Sequence, residues 1–224
     1  MLNALILIPE ITKGMKSTGS KSLLKIRNSK CIIEYQIEQL LSISKNIKIT
    51  IGTGFDNDRI TSAINRYSKV DYIFNPKYEH TNFGESLKLY FDKYKDIDNL
   101  LLIGSGILFR SGTFAPAQLK NTSKIFLLDK PKHNFDLGCN TGNNLEYLFY
   151  ELPDIWSECI YLNKKAIKCL YDISQSKSIE QMYIFELIND MLSYNIKIEK
   201  VSLSKSNFVK INTAKDIGRA RVFV

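Results

Sequence analysis

Residues 47–74 read IKITIGTGFDNDRITSAINRYSKVDYIF. Ile47, Ile49 and Ile51 alternate with Lys48 and Thr50, the period of a strand, and Gly52-Thr53-Gly54 closes the run. Past these glycines the pattern predicts a helix over Asp58–Lys69, capped by Asp56-Asn-Asp58, and Val70–Phe74 then resumes a strand. Two strands joined by a helical crossover of this length must lie parallel, because a hairpin would need only a short turn.

The same rhythm extends in both directions. Upstream, Leu5–Ile8 is an apolar run suited to a buried parallel strand, and Cys31–Ser44 places Ile33, Ile37, Leu40, Leu41 and Ser44 on one helical face. Downstream, Glu85–Lys95 predicts a helix with Leu87, Phe91 and Tyr94 inward, and Leu100–Ile103 is the next buried strand. The first half thus reads β-α-β-α-β-α-β. That pattern is an α/β, Rossmann-like, mostly parallel sheet flanked by helices on both faces.

The second half changes character. Lys124–Asp129 and Leu145–Tyr150 predict strands, and Ile160–Leu162 a strand leading into a helix at Lys164–Ile173. A longer helix is expected over Ser178–Tyr194 with Ser178 as its N-cap, then an alternating strand at Ile196–Leu203. Thr213-Ala-Lys-Asp216 has capping-box spacing and opens a last helix through Arg221. The expectation is one domain over 1–224, with a smaller mixed-strand lobe in the second half and no internal repeat.

Composition narrows the function classes. With 44% hydrophobic and 24% charged residues in 224, wholesale disorder is excluded. A chain of this size should bury roughly 70% of its unfolded surface. The longest near-apolar run, Leu100–Phe109, is interrupted by Gly104, Ser105 and Gly106 and is about half of what a bilayer span needs. Met1–Ile8 carry no basic leader, so a cytoplasmic protein without signal peptide or membrane anchor is expected. The net charge of +8 comes mostly from Lys, in a chain also rich in Ile and Asn. No Lys/Arg run exceeds two residues, so nucleic acid is a poor candidate partner and a phosphorylated small molecule a better one. Cys31, Cys139, Cys159 and Cys169 form no CxxC, and His80 and His133 lie far apart, which disfavours a zinc site and predicts buried free thiols.

In open parallel sheets ligands bind at the carboxyl ends of the strands, which makes 9–22, 52–57, 75–84 and 104–114 the candidate site loops. Gly14–Ser22, GMKSTGSKS, misses the P-loop pattern because Ser20 stands between the second glycine and Lys21. Asp96-Ile-Asp98 precedes a strand and reads as a solvated turn. Two histidines and no nucleophile elbow leave no serine–histidine–acid set.

Three segments carry a family resemblance. Residues 4–26, ALILIPEITKGMKSTGSKSLLKI, followed by 33–40, IEYQIEQL, resemble the opening of the sugar-phosphate and choline-phosphate nucleotidyltransferases. Residues 75–87, NPKYEHTNFGESL, are similar to that family's NPxYxxTNNxxSL segment, and 209–221, VKINTAKDIGRAR, to its closing EIDTPEDLERA. The resemblance implies a GT-A-like nucleotidyltransferase fold and transfer of a nucleotidyl group from an NTP to a phosphorylated acceptor. In the family a glycine loop cradles phosphates, Arg and Lys neutralise charge, and two Asp hold Mg²⁺. On this chain the glycine loop aligns with Ile8-Pro9-Glu10-Ile11-Thr12-Lys13-Gly14, so its glycines become Glu10 and Thr12 and its Arg becomes Gly14. Lys21 keeps the family lysine, while the two metal Asp positions fall on Gly106 and Asn212.

The residues so implied for nucleotide and substrate are Ile8, Pro9, Lys13, Lys21, Asn75, Tyr78, Thr81, Asn82, Ser86, Ser105, Gly106 and Asn212, with Lys21 catalytic if the chain is active. Residues 1–115 form the nucleotide-binding half and 116–224 the acceptor side. No residue is assigned as a metal ligand, and Mg²⁺ is the cofactor only of an active form. A misaligned loop with Asp129 or Asp136 as the carboxylates is the alternative, and two carboxylates within about 5 Å of a common point near Lys21 and 104–106 would restore the enzyme. The expectation is a nucleotidyltransferase-like protein of nucleotide-sugar or CDP-alcohol metabolism without standard Mg²⁺-dependent catalysis, a pseudoenzyme or a subunit of a homo- or hetero-oligomer. Its alternative is an active enzyme moving NMP to a sugar-1-phosphate, phosphocholine or phosphonate. A related glycosyltransferase needs a DxD after the fourth strand, and Gly104-Ser-Gly106 offers none. A purely interacting module differs only in having no ligand.

Overall fold

The computed structural model describes residues 1–8, 19–115, 118–128 and 136–224. Strand β1 (Leu2–Ile8) is followed by two short strands, β2 (Lys25–Arg27) and β3 (Lys30–Cys31), and helix α1 (Ile32–Ile43). Then come β4 (Ile47–Thr53), α2 (Asn57–Ile64), β5 (Val70–Phe74), α3 (Phe83–Lys93), β6 (Asn99–Gly104) and β7 (Ile107–Phe109). The second half continues with β8 (Ser123–Leu128), β9 (Leu137–Cys139), β10 (Leu148–Tyr150) and β11 (Asp154–Asn163). It ends with α4 (Lys164–Ser174), α5 (Ile184–Ser193), β12 (Ile198–Leu203), β13 (Phe208–Lys210) and α6 (Ile217–Phe223).

The crossovers predicted from sequence place β5, β4, β1 and β6 side by side and parallel, with β1 between β4 and β6. Beyond β6 the pairing turns: β11 runs antiparallel to β6 and to β8, and β12 runs parallel to β8. The mixed strands of the second half therefore extend the same nine-stranded sheet, while β7 and β13 form a separate antiparallel pair beside it.

Alternation along β1 shows why both faces are covered. Leu5 and Leu7 pack with Leu87, Tyr90 and Phe91 of α3, Ile167 and Leu170 of α4, and Leu187 and Met191 of α5. Ala4, Ile6 and Ile8 point the other way, onto Ile33, Ile37 and Leu40 of α1 and Ile60 and Ile64 of α2. Each such side chain contributes roughly 1.5–3 kcal/mol when fully buried, which holds the strand ends to a fixed frame.

Several boundaries differ from expectation. Helix α2 stops at Ile64 instead of reaching Lys69. The helix expected over 178–194 is two elements, a 3-10 turn at Lys177–Gln181 and α5, whose N-cap is Tyr183; the Ser178 side chain lies outside the described residues. The cause is tertiary: the Glu180 and Met182 carbonyls accept the backbone N–H groups of Asn82 and Gly84 at 2.8 and 3.0 Å, so they serve the start of α3. Asp56 sits at the N-cap of α2 in the left-handed region, yet its carboxylate makes no cap bond and accepts from the Ser20 backbone at 2.6 Å. Asp216 behaves as the capping-box spacing predicts, accepting from the Asn212 and Thr213 N–H groups at 2.9 Å each.

The cysteines are free, with Cys31, Cys139 and Cys159 buried and Cys169 half-buried. Burial pushes the Cys31 and Cys139 thiols up to about 11, which leaves them protonated and inert at neutral pH. Among the described residues no helix is long and apolar enough to cross a membrane.

Candidate nucleotide and acceptor site

At the carboxyl ends of β1 and β6 the chain opens a cavity of about 220 Å³. Its lining includes Leu7, Leu102 and Gly104 together with Trp156, Phe83 and the Tyr183–Phe185 start of α5. Trp156 donates its indole N–H to the Cys159 carbonyl at 3.0 Å, so its polar edge is satisfied and its ring serves as surface. Tyr183 stacks on Phe185 at 6.1 Å and lies 6.5 Å from Phe83. The charged groups on the lining are Lys21 and Glu158.

Glu158 reaches this place through a backbone irregularity. The register of β11 against β8 shifts between Trp156 and Cys159, and Glu158 adopts φ +64°. Such a bulge turns a side chain out of the alternation that would otherwise bury it. Gly104 makes room: a Cβ there would lie 2.4 Å from a Glu158 carboxylate oxygen.

Lys210, the last residue of β13, closes the cluster. Its ammonium lies 2.7 Å from Glu158 and 3.8 Å from Asp136, with the Lys210 and Asp136 side chains nearly buried and a third of Glu158 exposed. Burial alone raises the Glu158 carboxyl, but the Lys210 and Lys21 ammoniums outweigh it and hold the group below its ordinary 4.5. Lys210 is the mirror case. Burial lowers it, and Glu158 with Asp136 more than restores it, leaving it above 10.5.

The structure brings some of the sequence-derived residues together and not others. Lys21 and Ser105 line the cavity, and the Lys21 ammonium presses on Gly106, where an added Cβ would meet it at 2.7 Å. The Ile211 N–H, next to Asn212 in the chain, donates to the Gly106 carbonyl at 2.8 Å, so the segments that carry Gly106 and Asn212 lie side by side. Asn75, Thr81 and Ser86 form a buried set instead: the Asn75 amide donates to Thr81 and Ser86 at 3.0 and 3.3 Å, and its oxygen accepts the Lys77 N–H. Asn82 donates to the Gln181 carbonyl, and Tyr78 packs near Phe55. These residues fix the turn between β5 and α3 and do not line the cavity. Ile8 ends β1, buried; Pro9, Glu10, Thr12, Lys13, Gly14 and Asp129 lie outside the described residues.

Glu158 and Lys210 were not found by sequence reading, which carried no signal for either beyond residue type. Asp136 was noted only as a substitute ligand.

Whether Mg²⁺ fits here is a question of donors. Position 106 has no side chain, and Asn212 offers a neutral amide, a weak partner for a hard cation. Two carboxylates do converge within 4 Å of one point near Lys21 and 104–106, but that point is the Lys210 ammonium. Among the described residues no group of three or more His, Cys, Asp or Glu could hold a metal ion. Among the described residues the donor set does not fit Mg²⁺ in this arrangement.

Comparison with solved structures decides the architecture. A CTP:phosphocholine cytidylyltransferase from Streptococcus pneumoniae superimposes with a TM-score of 0.81 at 18% identity, covering 99% of this chain and 98% of that one. The chain has the nucleotidyltransferase fold. A nucleoside-diphosphate-sugar pyrophosphorylase from Vibrio cholerae matches the same nucleotidyltransferase fold at TM-score 0.74 and 10% identity, over 99% of this chain and all of the other. The inositol-1-phosphate CTP transferase of T. maritima superimposes at 0.70 and 13%, over 96% and 90%. No family model and no curated protein matches the sequence.

Proposed function

We propose that this chain binds a nucleotide or phosphorylated small molecule at the nucleotidyltransferase cleft and lacks the standard Mg²⁺-dependent transfer step. Residues 1–115 are the nucleotide side and 116–224 the acceptor side, with the Lys21 ammonium against Gly106, one of the two positions aligned with the family's metal carboxylates. The observation that supports this reading is the Lys21 ammonium lying against Gly106, whose carbonyl accepts the Ile211 N–H: the two positions that the resemblance aligns with the family's metal carboxylates carry Gly106 and Asn212. The acceptor that best suits the cavity is a phosphorylated onium compound such as phosphocholine. Trp156, Phe83, Tyr183 and Phe185 offer ring faces to a desolvated cation and few partners for sugar hydroxyls.

A screen of NTPs with Mg²⁺ or Mn²⁺ against phosphocholine, sugar-1-phosphates and phosphonates tests the proposal. No pyrophosphate release is expected. The second reading, an active enzyme, draws on the convergence of Asp136 and Glu158. Pyrophosphate release from any pair, lost on Lys21→Ala, establishes that reading and removes the first.

A further inference from the structure

The cluster at Lys210 asks for an explanation that loss of a metal alone does not give. A decayed metal site would leave its carboxylates with no cation beside them. Here the ammonium of Lys210 stands between Glu158 and Asp136, and the ammonium of Lys21 covers Gly106. Lys210 is two residues from Asn212, and its strand partner is Ile107, the neighbour of Gly106. The charge count is also conserved: two ammoniums and two carboxylates are neutral together, as are one divalent cation and two carboxylates. Retaining a buried charge cluster costs desolvation, so its members must satisfy one another closely. The bulge at Glu158 and the missing side chain at Gly104 let Glu158 approach Lys210 to 2.7 Å, while Asp136 stands at 3.8 Å.

We propose that Lys210, held by Glu158 and Asp136, is the resident cation of this site, so that the protein binds its phosphorylated ligand without a divalent metal ion. The proposal rests on the ligand-binding reading above and adds what holds the charge in place. It implies that the carboxylates are competent metal ligands from which the Lys210 ammonium keeps a metal ion.

The test titrates Mn²⁺ into the full chain and follows the free-ion electron paramagnetic resonance signal. The wild type and Lys210→Arg, which keeps the charge, should leave Mn²⁺ free to millimolar concentration. Lys210→Met should gain a Mn²⁺ site at least about tenfold tighter than the wild type, a difference of about 1.4 kcal/mol, and adding Glu158→Gln should abolish it. Because Lys210→Met takes the ammonium from beside two carboxylates, its folding is checked by circular dichroism with and without Mn²⁺. If it folds only with Mn²⁺, the metal has replaced the ammonium, which supports the proposal; if it folds in neither, the wild type and Lys210→Arg decide. Mn²⁺ binding to the wild type that Glu158→Gln weakens would overturn it, as would a folded Lys210→Met that gains no Mn²⁺. Failure of the ligand-binding reading looks different: neither CTP nor phosphocholine gives heat in EDTA or in Mg²⁺, while the Mn²⁺ pattern stays as predicted.

Discussion

At Gly106 a carbon added to the backbone lies 2.4 Å from the Ile211 carbonyl and 2.7 Å from the Lys21 ammonium, so an aspartate there must displace both. Gly106→Asp is therefore expected to destabilise the chain by about 1–3 kcal/mol, read as a fall in thermal midpoint, and to bring no metal site by itself. Removal of Lys210 acts differently, by taking the ammonium from beside Glu158 and the buried Asp136, and should cost about 3–5 kcal/mol in denaturant unfolding. Lys210→Arg should recover most of that loss; a loss equal to that of Lys210→Met would show that packing, not charge, holds the site. The sequence pointed to Gly106 and Asn212 because each is a departure at a motif position. It could not point to Glu158, since a bulge on β11 rather than any motif turns that side chain into the cleft.

Among the elements, the turn between β5 and α3 carries the most specific motif in the chain, and its chemistry is structural. Asn75 is buried and bonds Thr81, Ser86 and the Lys77 backbone, so Asn75→Ala should cost about 1–3 kcal/mol through orphaned partners. Ligand affinity per folded molecule should then change little, which calorimetry on the variant can establish. Helix α1 was legible because five positions shared one face, and Leu40→Ala on that face should cost about 2–5 kcal/mol. The segment 178–194 was not legible as two pieces. Its apolar periodicity continues across a break imposed by two carbonyls that hydrogen-bond to α3, a tertiary demand without local trace.

For the molecule as a whole, the order of strands and crossovers was readable because parallel pairing follows from the lengths between apolar runs. The cleft was not, because residues 136, 158 and 210 come from three distant segments that meet only in the finished fold. Its pH behaviour is set by the directions in which its groups are shifted. Glu158 titrates below its ordinary 4.5, so its contribution is complete above 4.5 and fades as the pH falls through the lowered value. Lys210 titrates above 10.5, so its contribution is complete below 10.5 and is lost as the pH rises through the raised value. The stability gap between wild type and Glu158→Gln should thus be constant at neutral pH and close only below 4.5. The most direct measurement is calorimetric titration of the full chain with CTP and phosphocholine, once in EDTA and once in excess Mg²⁺. The account predicts superimposable isotherms for whichever ligand binds; tight binding that appears only with Mg²⁺ would contradict it.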